Sequence, residues 1–364
     1  MATACDQAFR PYAVDTLHGD CRGMTLPPAI RDLAPGRPGL VGDPALEASH
    51  LSKRYGDVQA VEDVSFQVAR REIFALLGPN GAGKSTTVKM LCTLARPTDG
   101  TATVAGFDVR RQPKAVRRRI GLVFQEQTLD DQLTAEENLR FHAVLYRVPK
   151  IEVEARIRRV LDLVELADRR RDVVSTFSGG MARRLEIARS MLHTPAVLFL
   201  DEPTVGLDPQ TRALMWEDVT RLREEAGVTI LLTTHYMDEA EYADRIAIID
   251  RGSIVALDTP SNLKAMVSAD TVELTTADDP IATARLTAAG FRAKLGTGNV
   301  IVFTPNGDSQ IARLIDVAGV AVTNVHVHRP SLDDVFLHFT GRQIRADHAE
   351  HVLPMRMRAR ARRR

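Results

Sequence analysis

Cysteine is scarce: Cys5, Cys21 and Cys92 are the only three in 364 residues. They are too few and too scattered for a disulfide framework or a zinc cluster, which fits a reducing compartment. Long apolar runs are missing as well. Stretches such as 73–77 and 230–232 fall far short of the ~18 to 20 residues a membrane-spanning helix needs. The sequence shows no basic segment followed by an apolar one near its start, so no secretory signal is expected and the cytosol is the default compartment. Lysine is rare beside arginine, 7 against 41, which draws attention to Lys84 and to what an ammonium does there.

What is present reads as a globular protein. Hydrophobic residues make up 44% and charged residues 26%, so the chain as a whole is neither disordered nor fibrous. Its length suggests about two domains. The net charge of +1 hides an asymmetry, because the last ten residues carry six arginines and no acid, leaving −5 over residues 1–354. Residues 1–43 hold five prolines and five glycines without an apolar period and are expected to be a flexible extension. Residues 343–364 are expected to be a basic disordered tail, able to attract anionic lipid or, in low salt, nucleic acid without specificity.

Between these ends, strands are expected at 45–49, 64–68, 73–77, 120–124, 197–200, 229–233 and 245–250, and helices at 86–95, 135–146, 152–164 and 181–192. Alternating strands and helices predict an α/β fold built on a largely parallel sheet. The texture changes after about residue 263. Strands at 271–276, 292–296, 299–304 and 321–328, with helices at 281–289 and 309–317, predict a small ferredoxin-like α+β module within residues 264–342. A closing helix at 331–340 would be capped by Ser331.

Three motifs carry chemistry. Gly78-Pro79-Asn80-Gly81-Ala82-Gly83-Lys84-Ser85-Thr86 fits G-x-x-x-x-G-K-[ST] between an apolar strand and a helix, the context that pattern requires. Glycines let successive amides turn inward around phosphate oxygens, and the helix start adds partial positive charge. Lys84 would neutralise the terminal phosphates and Ser85 would ligate Mg²⁺. The run 196–200 then ends in Asp201-Glu202. A buried strand delivers such carboxylates to the sheet edge where ligands bind, Asp201 suited to Mg²⁺ and Glu202 to activating water. Finally, Ser178-Gly179-Gly180 precedes a helix 23 residues ahead of Asp201, offering a second set of bare amides to an anion.

In this order the motifs resemble the nucleotide-binding subunit of ATP-binding cassette (ABC) transporters, over residues 45–263. The resemblance implies a P-loop NTPase cassette with a RecA-like core and a helical subdomain at about 126–192. It makes residues 78–86 the Walker A loop, 197–202 the Walker B strand and Ser178 to Met181 the signature motif. Gln125 takes the place of the Q-loop glutamine and of a Mg²⁺ contact, Val205-Gly206-Leu207-Asp208 that of the D-loop, His235 that of the switch histidine, and Tyr55 that of the aromatic stacked on adenine. Met181 departs from the usual glutamine. With Pro330-Ser331-Leu332-Asp333-Asp334-Val335-Phe336-Leu337, it is similar to the daunorubicin/doxorubicin-resistance group of drug-exporter ATPases.

By the same resemblance, ATP lies between the Walker A loop of one subunit and the signature of another, so a homodimer is implied. Glu202 activates water, His235 contacts the γ-phosphate, and Gln125 links the site to a separate membrane permease on the cytoplasmic face. Residues 126–176, with Leu139, Phe141, Leu145 and Tyr146, would either meet that permease or fill a helix core. The alternative is a soluble ABC-type ATPase acting on ribosomes or nucleic acid. Such proteins carry two cassettes or a long coiled coil between their motifs, whereas Lys84 and Asp201 are 117 residues apart without heptads, so no specific nucleic-acid partner is expected.

Overall fold

The computed structural model describes residues 43–267 and 270–341; the expected N-terminal extension, apart from Asp43, and the arginine tail lie outside them. Strands β1 (Leu46–Tyr55) and β2 (Val58–Val68) form a hairpin, and β3 (Ile73–Leu77) leads through a glycine loop into helix α1 (Lys84–Leu91). Next come β4 (Asp99–Val104), β5 (Phe107–Asp108), α2 (Pro113–Arg119) and β6 (Ile120–Val123). Helices α3 (Ala135–Leu145), α4 (Lys150–Leu163) and α5 (Gly179–Met191) follow, then β7 (Val197–Asp201), α6 (Pro209–Ala226) and β8 (Thr229–Thr234). The short α7 (Met237–Ala240), β9 (Arg245–Asp250), β10 (Ser253–Asp258) and α8 (Pro260–Val267) close this part.

Six strands form the main sheet in the order β10-β9-β3-β8-β7-β6, parallel throughout except for the antiparallel edge β10. Its inner strands are apolar at nearly every position because both faces are buried. Ile73, Ala75 and Leu77 of β3 join one core with α3 to α6, while Phe74 and Leu76 join the other with α1 and the second sheet. That second sheet is antiparallel, β2-β1-β4-β5. It takes in the first two expected strands, which therefore stand apart from the parallel sheet. Strand β1 runs to Tyr55, well past the expected 45–49, because register shifts between Ala48 and Arg54 break the alternation that would mark it.

The remaining described residues form β11 (Asp270–Thr276), α9 (Asp279–Ala288), β12 (Arg292–Leu295), β13 (Val300–Thr304), α10 (Gly307–Ala318) and β14 (Val322–His328). The order is β-α-β-β-α-β, as expected, and the strands pair antiparallel as β12-β13-β11-β14 over a core shared with both helices. Helix α11 (Leu332–Thr340) then returns to the larger part, placing Leu332, Val335 and Phe336 in the main core beside Leu263. Ser331 caps it as expected, in a box with Asp334: each side chain takes the other's backbone amide, at 3.2 and 2.9 Å. Among the described residues, no helix is long and apolar enough to cross a membrane.

Candidate active site

Strand β3 delivers Gly78 to the C-terminal edge of the parallel sheet, where ligands of such sheets bind. A side chain there would clash, since a Cβ on Gly78 would lie 2.2 Å from the Ile249 carbonyl oxygen. Gly83 is needed for two reasons: its φ is +109° and a Cβ would sit 2.7 Å from the Ala60 oxygen. Gly83 also caps α1 without any side-chain hydrogen bond, so the helix opens on bare amides and the positive end of its dipole. These amides face a cavity of about 320 Å³ lined by Pro79, Asn80, Gly81, Gly83, Lys84, Ser85 and Thr86 on one side and by Ala60, Gln125 and Glu202 on the other. Ala82 is buried beneath the loop.

Across that cavity the two carboxylates meet the loop. The Ser85 hydroxyl donates to Asp201 Oδ1 at 3.0 Å, and Thr233 donates to the same oxygen at 2.6 Å. Lys84, only 4% exposed, lies 3.0 Å from Glu202 Oε1 and donates to the Gly78 and Pro79 carbonyls at 2.7 and 3.2 Å. The backbone of Glu202 is left-handed, with φ +47°, a conformation costing about 1 to 3 kcal/mol outside glycine. Its amide is held there by the Thr233 hydroxyl at 3.0 Å and the Thr233 carbonyl at 3.2 Å. Burial pushes the Glu202 carboxyl up, but His235 and Lys84 pull it down further, so it sits below the usual glutamate range. His235 Nδ1 is 3.4 Å from Glu202 Oε2, in contact without a well-formed hydrogen bond.

The other expected site residues are placed elsewhere. Tyr55 is 48% exposed at the end of β1, with the Lys53 ammonium 4.7 Å from its ring centre, and does not line the cavity. Ser178 and Gly179 are exposed at the start of α5, where Ser178 caps the helix by accepting the Met181 amide at 3.3 Å. Gly180 is buried against α6, its added Cβ falling 2.2 Å from Thr211 Cγ2. None of the three lines the cavity. The fold thus gathers residues 78–86, Gln125, Asp201, Glu202 and His235, and leaves Tyr55 and the Ser178 turn outside.

Two further residues belong to no sequence motif. Thr233 holds both Asp201 and the Glu202 backbone. Glu239, buried, accepts hydrogen bonds from Thr204 on one oxygen and from Thr234 at 2.6 Å on the other, tying the segment after Glu202 to the segment before His235. Among the described residues no group of three or more His, Cys, Asp or Glu could hold a metal, so a cation here would need the hydroxyl and carboxylate oxygens of Ser85 and Asp201.

A parallel sheet whose inner strand ends in a glycine loop at an uncapped helix start, with a buried lysine facing adjacent carboxylates, defines a P-loop nucleotide-binding ATPase. Comparison with known proteins narrows the class. Residues 61–205 match the ABC transporter family model. The chain is 41% identical over 82% of its length to the daunorubicin resistance ATP-binding protein DrrA2 of Streptomyces coeruleorubidus, covering 95% of that protein. It is 37% identical, again over 82%, to the linearmycin resistance ATP-binding protein LnrL of Bacillus subtilis, covering 99% of it. Among solved structures, a dimeric ATP-binding cassette in a post-hydrolysis state with ADP and Pi aligns with TM-score 0.53 and 26% identity, over 59% of this chain and 98% of that one. The chain belongs to the ATP-binding subunits of ABC transporters, and is an ATPase of that family.

Proposed function

We propose that two copies of this chain close around ATP and Mg²⁺ and so power export of a drug or other hydrophobic or amphipathic compound through a separate integral-membrane permease, working from the cytoplasmic side of the membrane. One juxtaposition supports the catalytic half: Lys84 and Ser85 of the loop reach Glu202 and Asp201, each at 3.0 Å. The cargo class follows the drug-resistance names of the relatives.

In this reading a triphosphate takes Lys84 away from Glu202 and from its own loop carbonyls, since phosphate oxygens are its stronger partners. Glu202 is then left as a buried, ionised carboxylate beside the terminal phosphate. It accepts a proton from water as the water oxygen attacks phosphorus and the bond to ADP breaks, a contribution of about 10² to 10⁴ in rate. His235 contacts the phosphate oxygens from the far side of Glu202. Ser85 and Asp201 are hard oxygen donors fit to hold Mg²⁺, with Gln125 completing its surroundings; when bound, the ion offsets phosphate charge. Tyr55 stacks on adenine.

The partner copy supplies its Ser178, Gly179 and Gly180. The exposure of Ser178 and Gly179 supports this role, as does the crystallisation of a related cassette as a dimer with ADP and Pi. For the permease, Phe141, Val144, Leu145 and Ile151 leave an apolar patch exposed near the end of α3, whereas Leu139 fills the core.

The test is Glu202→Gln examined by light scattering. With Mg-ATP the variant is expected to bind nucleotide, to lose turnover and to accumulate as a dimer. A variant that stays monomeric with permease supplied, or that turns over like the wild type, would refute the reading.

A further inference from the structure

One buried cation sits where three segments of the site meet. Arg183 lies in the second turn of α5 and is 7% exposed. Its Nε donates to the Pro203 carbonyl at 2.8 Å, and its Nη1 donates to the Phe124 carbonyl and to Glu186 Oε2, the latter at 2.9 Å. Its Nη2 faces the Asp201 and Glu202 carbonyls more distantly, at 3.4 and 3.5 Å. The second oxygen of Glu186 accepts the Thr128 amide at 2.7 Å and the Thr128 hydroxyl at 3.0 Å. Phe124 and Thr128 bracket Gln125, and residues 201–203 form the backbone that carries both catalytic carboxylates.

A guanidinium removed from water is tolerated only when its donors are filled, and its planar fork fixes the directions of all its partners at once. Among the described residues, no other side chain is seen to hydrogen-bond both the Gln125 segment and the Glu202 backbone. Because Arg183 stands on the helix that Ser178 caps and Gly179 opens, any shift of that helix start passes along a rigid rod to the fork.

We propose that Arg183, oriented by Glu186, is a positioning residue that couples the exposed start of α5 to the backbone of Glu202 and to the Gln125 segment of the same chain. The inference rests on the two-copy reading above and deepens it: nucleotide in the partner's loop draws on α5, and Arg183 carries that displacement to this chain's own catalytic carboxylate. Arg183 does not line the nucleotide cavity, so it acts on turnover and not on ATP affinity.

The test uses the full chain with Arg183→Lys, which keeps a cation opposite Glu186 but loses the fork. Affinity is read with a fluorescent ATP analogue, turnover by phosphate release, and the coupling by a cycle with Glu202→Gln. The expected result is ATP affinity within about twofold of wild type and kcat lowered about tenfold, with no further loss when the change is made in Glu202→Gln, whose positioned base is already gone. Wild-type kcat in Arg183→Lys, or an equal loss in both backgrounds, would overturn the coupling alone. If Arg183→Lys loses cooperative unfolding, Glu186→Gln carries the same test, with kcat lowered about threefold and the same overturning results. A wild type without turnover, or Glu202→Gln as active as wild type, would instead overturn the reading of the site and the coupling with it.

Discussion

Two helix starts in this chain use glycine and bare amides, yet they sit in opposite surroundings. The start of α1 faces a cavity, and its lysine is buried against Glu202 while its serine meets Asp201, all within one chain. The start of α5 faces outward: Ser178 and Gly179 are exposed and no carboxylate or cation of the same chain approaches them among the interactions described above. The first is a nearly complete site with charge partners already in place. The second presents an exposed serine and glycine and lies outside the cavity that the first one lines. The contrast is what the proposed two-copy site requires: one helix start enclosed with its charge partners, the other open to a second chain.

The most severe way to break that comparison is to disable each half in a different copy. Lys84→Ala removes the buried cation. Gly179→Asp adds a negative charge at the α5 start, where a Cβ meets nothing closer than Leu207 Cδ2 at 3.8 Å, so the single chain should fold normally. Each variant alone is expected to lose turnover by about 100-fold, the scale of removing one preorganised electrostatic contact. Mixed in equal amounts, they should recover about a quarter of wild-type turnover, because half of randomly formed pairs contain one intact composite site out of two. A mixture as inactive as its components would show that the two halves do not meet between copies.

The division was readable in the sequence to the extent that its signals are local. Gly78 to Thr86 is a short spacing pattern, and the strand ending at Asp201-Glu202 is an apolar run with two acids at its tip. Even there the helix begins at Lys84, two residues before its apolar period starts. Helix α6 escaped because Arg212, Glu217, Arg221, Arg223, Glu224 and Glu225 surround a thin apolar stripe of Met215, Trp216, Val219 and Leu222. Strands β4 and β10 are half-buried edge or near-edge strands with weak alternation. Arg183 could not have been singled out, since Arg184 and Arg189 occupy the same helix. What distinguishes it is a set of carbonyls that come together only in three dimensions.

A smaller effect is expected at Tyr55. Its ring is exposed and lies outside the cavity, so whatever it contributes comes from stacking on a base rather than from the phosphates. Tyr55→Ala should weaken ATP about tenfold, within the ~1 to 3 kcal/mol typical of an aromatic stacked on a base. Because every base has a π-face, GTP affinity should fall by a similar factor. Competition titrations with both nucleotides would show this, and unchanged affinities would remove Tyr55 from the site.

The smallest expected effect sharpens the comparison through pH. Glu136 of α3 accepts two hydrogen bonds from Arg170, at 2.5 and 2.8 Å, and two from Arg140, at 2.8 and 2.5 Å. It thereby anchors the segment that leads to Ser178, where the Ala135 amide also binds the Asp172 carbonyl at 3.1 Å. Arg170 foremost, with Arg140, holds the Glu136 carboxyl down at about 2 against an ordinary 4.5, even though its partial burial pushes the other way. A depressed acid stabilises the fold fully above its unfolded value and ceases to do so as pH falls through its folded one. The contribution is therefore present at pH 7 and fades between about 4.5 and 2. Glu136→Gln should lower Tm at pH 7 by about 3 °C, a modest shift because Arg140 and Glu154 of the same network are well exposed. The gap between variant and wild type should narrow as the pH falls below about 4.5 and close only near 2, while nucleotide affinity at pH 7 stays the same. A Tm difference that persists at low pH would mean that Glu136 supports the α5 half through packing and not through its charge.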